Sequence, residues 1–372
     1  MKRQRAEFKL IHRLPGRRVC RVADRFHLYS HVLHTGLWTG FLLHLQLTRS
    51  KHLRPSSNRP FIMPVIQFGA LPTFSHVVLS RFARNPLFLH MELNDPKTFN
   101  SLTPGMFQSM TSALKWCAKE KTVLAVVVSG KGRGSNLDRH VFCAGMGMSK
   151  EVTDSAFNNA GGVTLKQARQ GATDNPFHFI NAVIDFPKLL VAAVNGHAYG
   201  MAVTQLPLFD FVYALPQKEF RTPFSELGVC AEGCSSVTFP AILGPGLASK
   251  MLYYAEPQKS ETLLPSGFIS EIVQGQTSES LPTWVLNHLC DRFGSDCGDV
   301  NDPMEWTRLS YQSVLSSKAL VMNNERRNYL KKVNAEELEA VARMVASPEF
   351  ANGLKRFVNR QAAKKQQGSA KL

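Results

Sequence analysis

Two runs of this chain, Val123–Val128 and Leu189–Val194, contain no polar residue at all. A strand that is apolar on both faces has to be covered on both. That is the mark of a largely parallel sheet packed between other layers, not of an antiparallel sheet with one wet side. The second run ends at Asn195-Gly196, a turn signal. Small residues follow in His197-Ala-Tyr-Gly-Met-Ala-Val-Thr204, where glycine lets one backbone pass close to another group. A further β-type run at Phe209–Tyr213, after an intervening helix, gives a β-α-β rhythm and hence the α/β class.

The flanking sequence extends this reading. His76–Phe82 and Leu87–Leu93 are β-type runs separated by Ala-Arg-Asn-Pro, which predicts a hairpin. Thr103-Pro104 is a helix start, and Phe107, Met110, Leu114 and Cys117 then share one helical face. Gly130–Gly134 is basic and glycine-rich, but it lacks the Gly-Lys-Ser/Thr ending of a phosphate-binding loop and reads as a turn. Ser149–Ile184 reads as partly helical with a break at Gly161-Gly162. After about residue 265 the sheet signals stop. Trp306, Leu309 and Leu315, then Leu338, Val341, Ala342 and Val345, then Phe350, Leu354, Phe357 and Val358 fall at helical spacing. The domain reading is an extension over 1–62, an α/β core over 63–265 and a helical region over 266–372.

Charge is unevenly distributed. Residues 1–60 hold 13 Lys/Arg against Glu7 and Asp24, a net +11 of the chain's +16, so residues 61–372 carry +5. A folded part that is only mildly basic argues against nucleic-acid binding by the core. The first 60 residues are broken by Pro15, Pro55 and Pro60 and are nearly free of acid. They suit a mitochondrial presequence, a disordered arm, or sequence upstream of a start at Met63. Seven scattered cysteines form no paired framework, which fits a reducing compartment. Cys230 and Cys234 have no accompanying ligand pair of zinc spacing, so no metal is expected. Gly36–Leu47 is too short to span a bilayer. The end, Ala370-Lys-Leu372, is a variant of the Ser-Lys-Leu address, which predicts a peroxisomal import receptor as partner and the peroxisome as location, with the mitochondrion as the alternative.

A Pro- and Gly-punctuated loop, Phe220–Ser236, carries two acids, Glu226 and Glu232. Strand, tight turn, helix start and an acid from a neighbouring loop is a layout that can stabilise an anion made by proton abstraction. A buried βα unit beside a surface loop is the plainer reading.

A third piece, Phe142-Cys-Ala-Gly-Met-Gly-Met148, followed some fifty residues later by Ala193-Val-Asn-Gly-His-Ala-Tyr-Gly200, resembles the crotonase (enoyl-CoA hydratase/isomerase) superfamily. Ile184-Asp-Phe-Pro-Lys188, Leu208–Ala214, Phe220–Ser225, Ala231-Glu-Gly-Cys-Ser-Ser-Val-Thr-Phe-Pro240 and Asn334-Ala-Glu-Glu337 look like its peroxisomal Δ3,Δ2-enoyl-CoA isomerase branch. The resemblance implies a spiral of ββα turns followed by a C-terminal helical region that builds trimers or hexamers. It implies an acyl-CoA substrate whose double bond is moved from the 3,4 to the 2,3 position, with no separate cofactor, coenzyme A being part of the substrate. By register, the backbone N–H groups of Met146 and Met201 form the oxyanion hole, Gly145, Met146, Gly147, Met148 and Ser149 form the substrate-binding segment, and Glu232 is the catalytic acid. Lys97 is a candidate contact near the adenine end of coenzyme A.

Glu226 is the rival base, at a position where the branch shows no acid. The two positions that carry glutamates in hydratases fall on Thr204 and Phe224, neither of which can act as a base, so hydration is disfavoured. Gly147 stands where Asp is common, which predicts a looser Gly145–Ser149 segment. Chromodomain-Y-type proteins use the same fold as a scaffold or CoA-binding module, and Glu232 is the feature that separates this chain from them.

Overall fold

The runs without polar residues lie at the centre of a six-stranded sheet in a computed structural model that describes residues 68–133, 140–147, 163–293 and 309–369. The strands are β1 (Val77–Phe82), β2 (Asn85–Leu93), β3 (Ala125–Gly130), β4 (Val141–Cys143), β5 (Leu189–Val194), β6 (His197–Tyr199), β7 (Phe211–Ala214), β8 (Glu219–Arg221), β9 (Gln258–Lys259) and β10 (Glu271–Ile272). The described helices are α1 (Pro104–Lys119), α2 (Leu165–Asp174), α3 (Pro176–Ile184), α4 (Met201–Thr204), α5 (Phe224–Leu227), α6 (Ser235–Leu252), α7 (Ser260–Leu263), α8 (Leu281–Phe293), α9 (Tyr311–Val321), α10 (Asn324–Val345) and α11 (Pro348–Ser369).

One sheet runs β1-β2-β3-β5-β7-β10, antiparallel only at the β1–β2 hairpin. The other runs β4-β6-β8-β9. Successive pairs β3/β4, β5/β6 and β7/β8 each place their first strand in the large sheet and their second in the small one. Helices follow each pair, so the chain advances as a spiral of ββα turns. Every residue of β3 and β5 is buried. Alternation sends Val126, Val128, Leu190 and Ala192 to one core and Val127, Leu189, Val191 and Ala193 to the other. The second core is closed by Val285, Leu286 and Leu289 of α8.

Asn195-Gly196, read from the sequence as a turn, joins neighbouring turns of the spiral. The Asn195 side chain accepts from the Gly130 N–H (3.1 Å) and donates to the Gly130 and Ser278 carbonyls (both 2.8 Å). A Cβ on Gly196 would lie 2.5 Å from the His140 carbonyl oxygen, so only glycine fits. Thr103 caps α1 by accepting from the Met106 N–H, and Phe107, Met110, Leu114 and Cys117 are all buried, as their spacing predicts.

The C-terminal region departs from expectation in three places. The large sheet does not stop near residue 265, because β10 pairs in parallel with Tyr213 and Ala214 of β7. A two-residue strand carries no periodicity to read. Secondly, Leu309 is exposed and α9 buries none of its residues, while Trp306 lies outside the described residues. Half-buried Tyr311 and Val314 rest on the second core, and the Lys318 ammonium donates to Asp210 (2.7 Å) and to the Lys188 carbonyl (2.6 Å). Thirdly, the α11 stripe is buried at Phe350 and Leu354 but surfaces at Val358. In contrast, Leu330, Val333, Asn334, Glu337, Leu338, Val341 and Ala342 of α10 form an unbroken buried face. Helix α2, opened by a Thr164/Gln167 capping box, packs along α10. Among the described residues no helix is long and apolar enough to cross a membrane.

Candidate active site

Two glycine turns meet main chain to main chain at the head of a cavity. Gly145, after β4, and Gly200, after β6, have φ of 79° and 56°. A Cβ on Gly145 would lie 2.5 Å from the Tyr199 carbonyl oxygen. On the other side of that loop, Leu102 donates its N–H to the Gly145 carbonyl (2.8 Å) and accepts from the Gly147 N–H (3.2 Å). Parallel pairing of this kind leaves the intervening Met146 N–H directed away from Leu102. Met201 is the first residue of α4, where a helix N–H has no intrahelical acceptor. Neither amide donates a hydrogen bond among the described residues.

The cavity below these turns has a volume of about 370 Å³. Gly145, Met146, Gly147, Tyr199 and Gly200 line one end. Ala168 of α2 with Leu338 and Val341 of α10 form apolar walls, and Phe350 of α11 also faces it. The Met146 side chain is 42% exposed, whereas Met201 is buried behind Gly200. Met148 and Ser149 lie outside the described residues, so the second half of the expected substrate-binding segment is not placed. Its first half is bonded to Leu102. The two Leu102 bonds pin Gly145 and Gly147, and a Cβ on Gly147 would already press on Thr103 and Ser101 at 3.1 and 3.2 Å.

Glu232 reaches the cavity from the segment between α5 and α6 and is the one carboxyl among its described lining residues. It is 5% exposed. Its carboxyl has no hydrogen-bond partner among the described residues, so nothing compensates its charge. Burial pushes it up to about 8, and the nearby Glu337 charge adds to the rise. Behind it, Gly233 and Cys234 both adopt left-handed backbone (φ 67° and 66°), turning the chain into α6. Gly233 lies against Thr204, whose hydroxyl would be 2.5 Å from a Cβ there.

The rival acid is engaged elsewhere. Glu226 of α5 accepts from Arg221 at 2.7 Å, with Arg360 at 3.8 Å, and it does not line the cavity. Thr204 is buried and Phe224 lines the cavity, so neither supplies a second acid. Lys97 is exposed, and its carbonyl accepts from Arg133. Cys234 is buried, its thiol donating to the Leu330 carbonyl (3.4 Å). Among the described residues no group of three or more His, Cys, Asp and Glu side chains could hold a metal ion.

Sequence reasoning gave Glu337 no role. Its carboxylate accepts from the Cys234 N–H (2.6 Å) and the Ser236 N–H (2.8 Å). The signal was present: a glutamate on the same α10 face as Leu338 and Val341 has to be paired if that face is buried.

The fold therefore brings the Gly145–Met146 loop, the Gly200 turn and one uncompensated acid to a largely apolar space. The sequence pattern of the enoyl-CoA hydratase/isomerase family matches residues 85–292. Enoyl-CoA delta isomerase 2 of Rattus norvegicus is 33% identical over 269 residues, 72% of this chain and 60% of that protein, so the match spans less than two thirds of that relative. Enoyl-CoA delta isomerase 3, peroxisomal, of Mus musculus is 30% identical over 278 residues, covering 73% of this chain and 75% of that protein. The crystal structure of enoyl-CoA hydratase from Bacillus halodurans superimposes with a TM-score of 0.60 at 20% identity, over 76% of this chain and all of that one, a likeness of fold. On these grounds the chain belongs to the enoyl-CoA hydratase/isomerase family and has the crotonase fold.

Proposed function

We propose that this chain is a Δ3,Δ2-enoyl-CoA isomerase, moving the double bond of a 3-enoyl-CoA to give the trans-2-enoyl-CoA. The observation that carries the reading is the Glu232 carboxyl, the one acid among the described lining residues of a cavity headed by the Gly145–Met146 and Tyr199–Gly200 turns. The Glu232 carboxylate takes a proton from C2. The C2–H electron pair passes into the thioester, and negative charge gathers on its oxygen. The Met146 and Met201 N–H groups hold that oxygen, each such donor being worth about 3–4 kcal/mol to the transition state. The protonated Glu232 then delivers the same proton to C4, the double bond settles between C2 and C3, and the carboxylate is restored. A base held near 8 by burial is matched to abstracting such a weakly acidic proton.

Support for the isomerase over the hydratase comes from the relatives named delta isomerase and from Thr204 and Phe224, which leave no second acid to activate water among the described residues lining the cavity. No separate cofactor enters this chemistry. The peroxisomal relative supports placement in that organelle and a part in oxidising unsaturated fatty acids. Exposed Tyr253, Tyr254, Leu320 and Val321 offer surface for the expected trimer or hexamer.

The test follows absorbance of the conjugated thioester. Purified protein should generate it from 3-enoyl-CoA, and Glu232→Gln should abolish the signal while Glu226→Gln retains it. Loss of the signal in Glu226→Gln alone would assign the base wrongly. Acyl-CoA binding without turnover in the wild type would support a scaffold role, that of the chromodomain-Y-type alternative.

A further inference from the structure

We propose that Glu337 is the positioning residue of this site: from α10 its carboxylate grips the Cys234 and Ser236 amides and so fixes the main chain that presents Glu232. The proposal rests on the isomerase reading only for what Glu232 does with its proton.

Helix α6 starts without a side-chain cap of its own, and its N-cap residue, Cys234, is a non-glycine residue in left-handed backbone. Such a conformation persists only where the surroundings hold it. Here the first amides of α6 converge on a carboxylate 103 and 101 residues away in sequence. Both oxygens of Glu337 are used, one per amide, in the manner of an anion seated in a backbone nest at a helix N-terminus. The register of α10 is fixed one turn earlier, where Asn334 donates to Asn181 (3.1 Å) and the Phe177 carbonyl (3.3 Å) of α3.

The arrangement also separates the roles of two neighbouring buried acids. Burial pushes the Glu337 carboxyl up, and its two N–H donors draw it back toward the charged form, whereas Glu232 has no such donor and is pushed up to about 8. The other titratable groups at this spot are Cys230 and Cys234 on the Glu232 segment, both pushed up by burial. On α10, Arg343 acts on Cys230. Helix α4, which packs Thr204 against Gly233, carries no ionisable side chain. Burial is the larger cause of the raised Glu232 carboxyl, and among the described residues Glu337, when ionised, is the charge that adds to it.

The experiment titrates glutamate carboxyls by 13C NMR in labelled protein, with the Glu232 signal assigned through Glu232→Gln. Glu337→Gln keeps the size but removes the charge, and the Glu232 midpoint should fall by about one unit or more, as expected when a close like charge is lost. The acid limb of kcat/KM should move with it. Glu337→Asp keeps the charge but shortens the reach by one methylene. It should leave the Glu232 midpoint within about half a unit of wild type and lower kcat by about tenfold or more with KM little changed, because the base is displaced. An unmoved Glu232 midpoint in Glu337→Gln, or full kcat in Glu337→Asp, overturns the proposal. If Glu337→Gln does not fold, Glu337→Asp decides by kcat. The NMR arm needs no turnover, so a protein without isomerase activity would sink the functional reading while leaving this one open to the titration.

Discussion

Glu232→Gln should make the protein inactive and, at alkaline pH, more stable. In the fold the carboxyl sits near 8, against an ordinary 4.5. At about 1.4 kcal/mol per unit, that interval corresponds to about 5 kcal/mol of preference for the neutral form. The sign follows from proton binding. Between these two values the folded chain keeps a proton that the unfolded chain has released, so the wild type loses stability as pH rises through the window, with the loss complete above about 8. Glutamine copies the neutral acid in shape and does not titrate. At pH 5 the variant and wild type should therefore differ by about 1 kcal/mol or less, and at pH 9 the variant should be ahead by about 4 kcal/mol more. Urea unfolding of both proteins at pH 5, 7 and 9, analysed by linear extrapolation, reads this difference directly. A constant offset across the series refutes the reasoning, because it would mean that the Glu232 carboxyl is solvated and titrates like any surface acid. The same protonation should make kcat/KM of the wild type climb with pH up to about 8.

Two further outcomes test the architecture. Gly171 lies in the interior of α2 and lines the cavity, and a Cβ there would meet nothing within 4 Å. Gly171→Leu should lower kcat/KM for long acyl chains at least tenfold while sparing the shortest, and should raise stability by about 1 kcal/mol through removal of a helical glycine; equal loss at every chain length would show that α2 does not measure the chain. Lys318→Ala leaves Asp210 without its cation under α9, where the side chains are 9% and 19% exposed. It should cost about 3 kcal/mol in thermal unfolding at neutral pH, and a loss below about 1 kcal/mol would mark the pair as ordinary surface charge.

How much was legible depended on how local the cause was. Strands β3 and β5 could be read because each residue is apolar and both faces are covered, which needs no knowledge of the partners. The α1 cap at Thr103 and the α10 stripe were legible for the same reason. Strand β10 was not, since two residues form a strand only where Tyr213 and Ala214 offer an edge. Helix α9 is held by the Lys318 ammonium on Asp210 and by half-buried Tyr311 and Val314 on the second core, while Leu309, Leu320 and Val321 are exposed, so its apolar spacing pointed the wrong way. At the site, the residues alone narrowed the acid to Glu226 or Glu232, and the family resemblance chose between them. The Arg221 ion pair of Glu226 and the burial of Glu232 give the physical reason. The part of Glu337 was hidden because its partners lie more than a hundred positions upstream.

Helix α10 contributes both a wall to the cavity, through Leu338 and Val341, and the carboxylate that grips the start of α6. Any redesign that widens this wall pulls on the same rod that aims the acid, so guest size and proton chemistry cannot be adjusted independently from that side. Helix α2 faces the same space and reaches the acid through α10, to which the Arg169–Glu339 ion pair (2.6 Å) ties it, so a change there that spares Arg169 re-cuts the cavity with the least pull on Glu232.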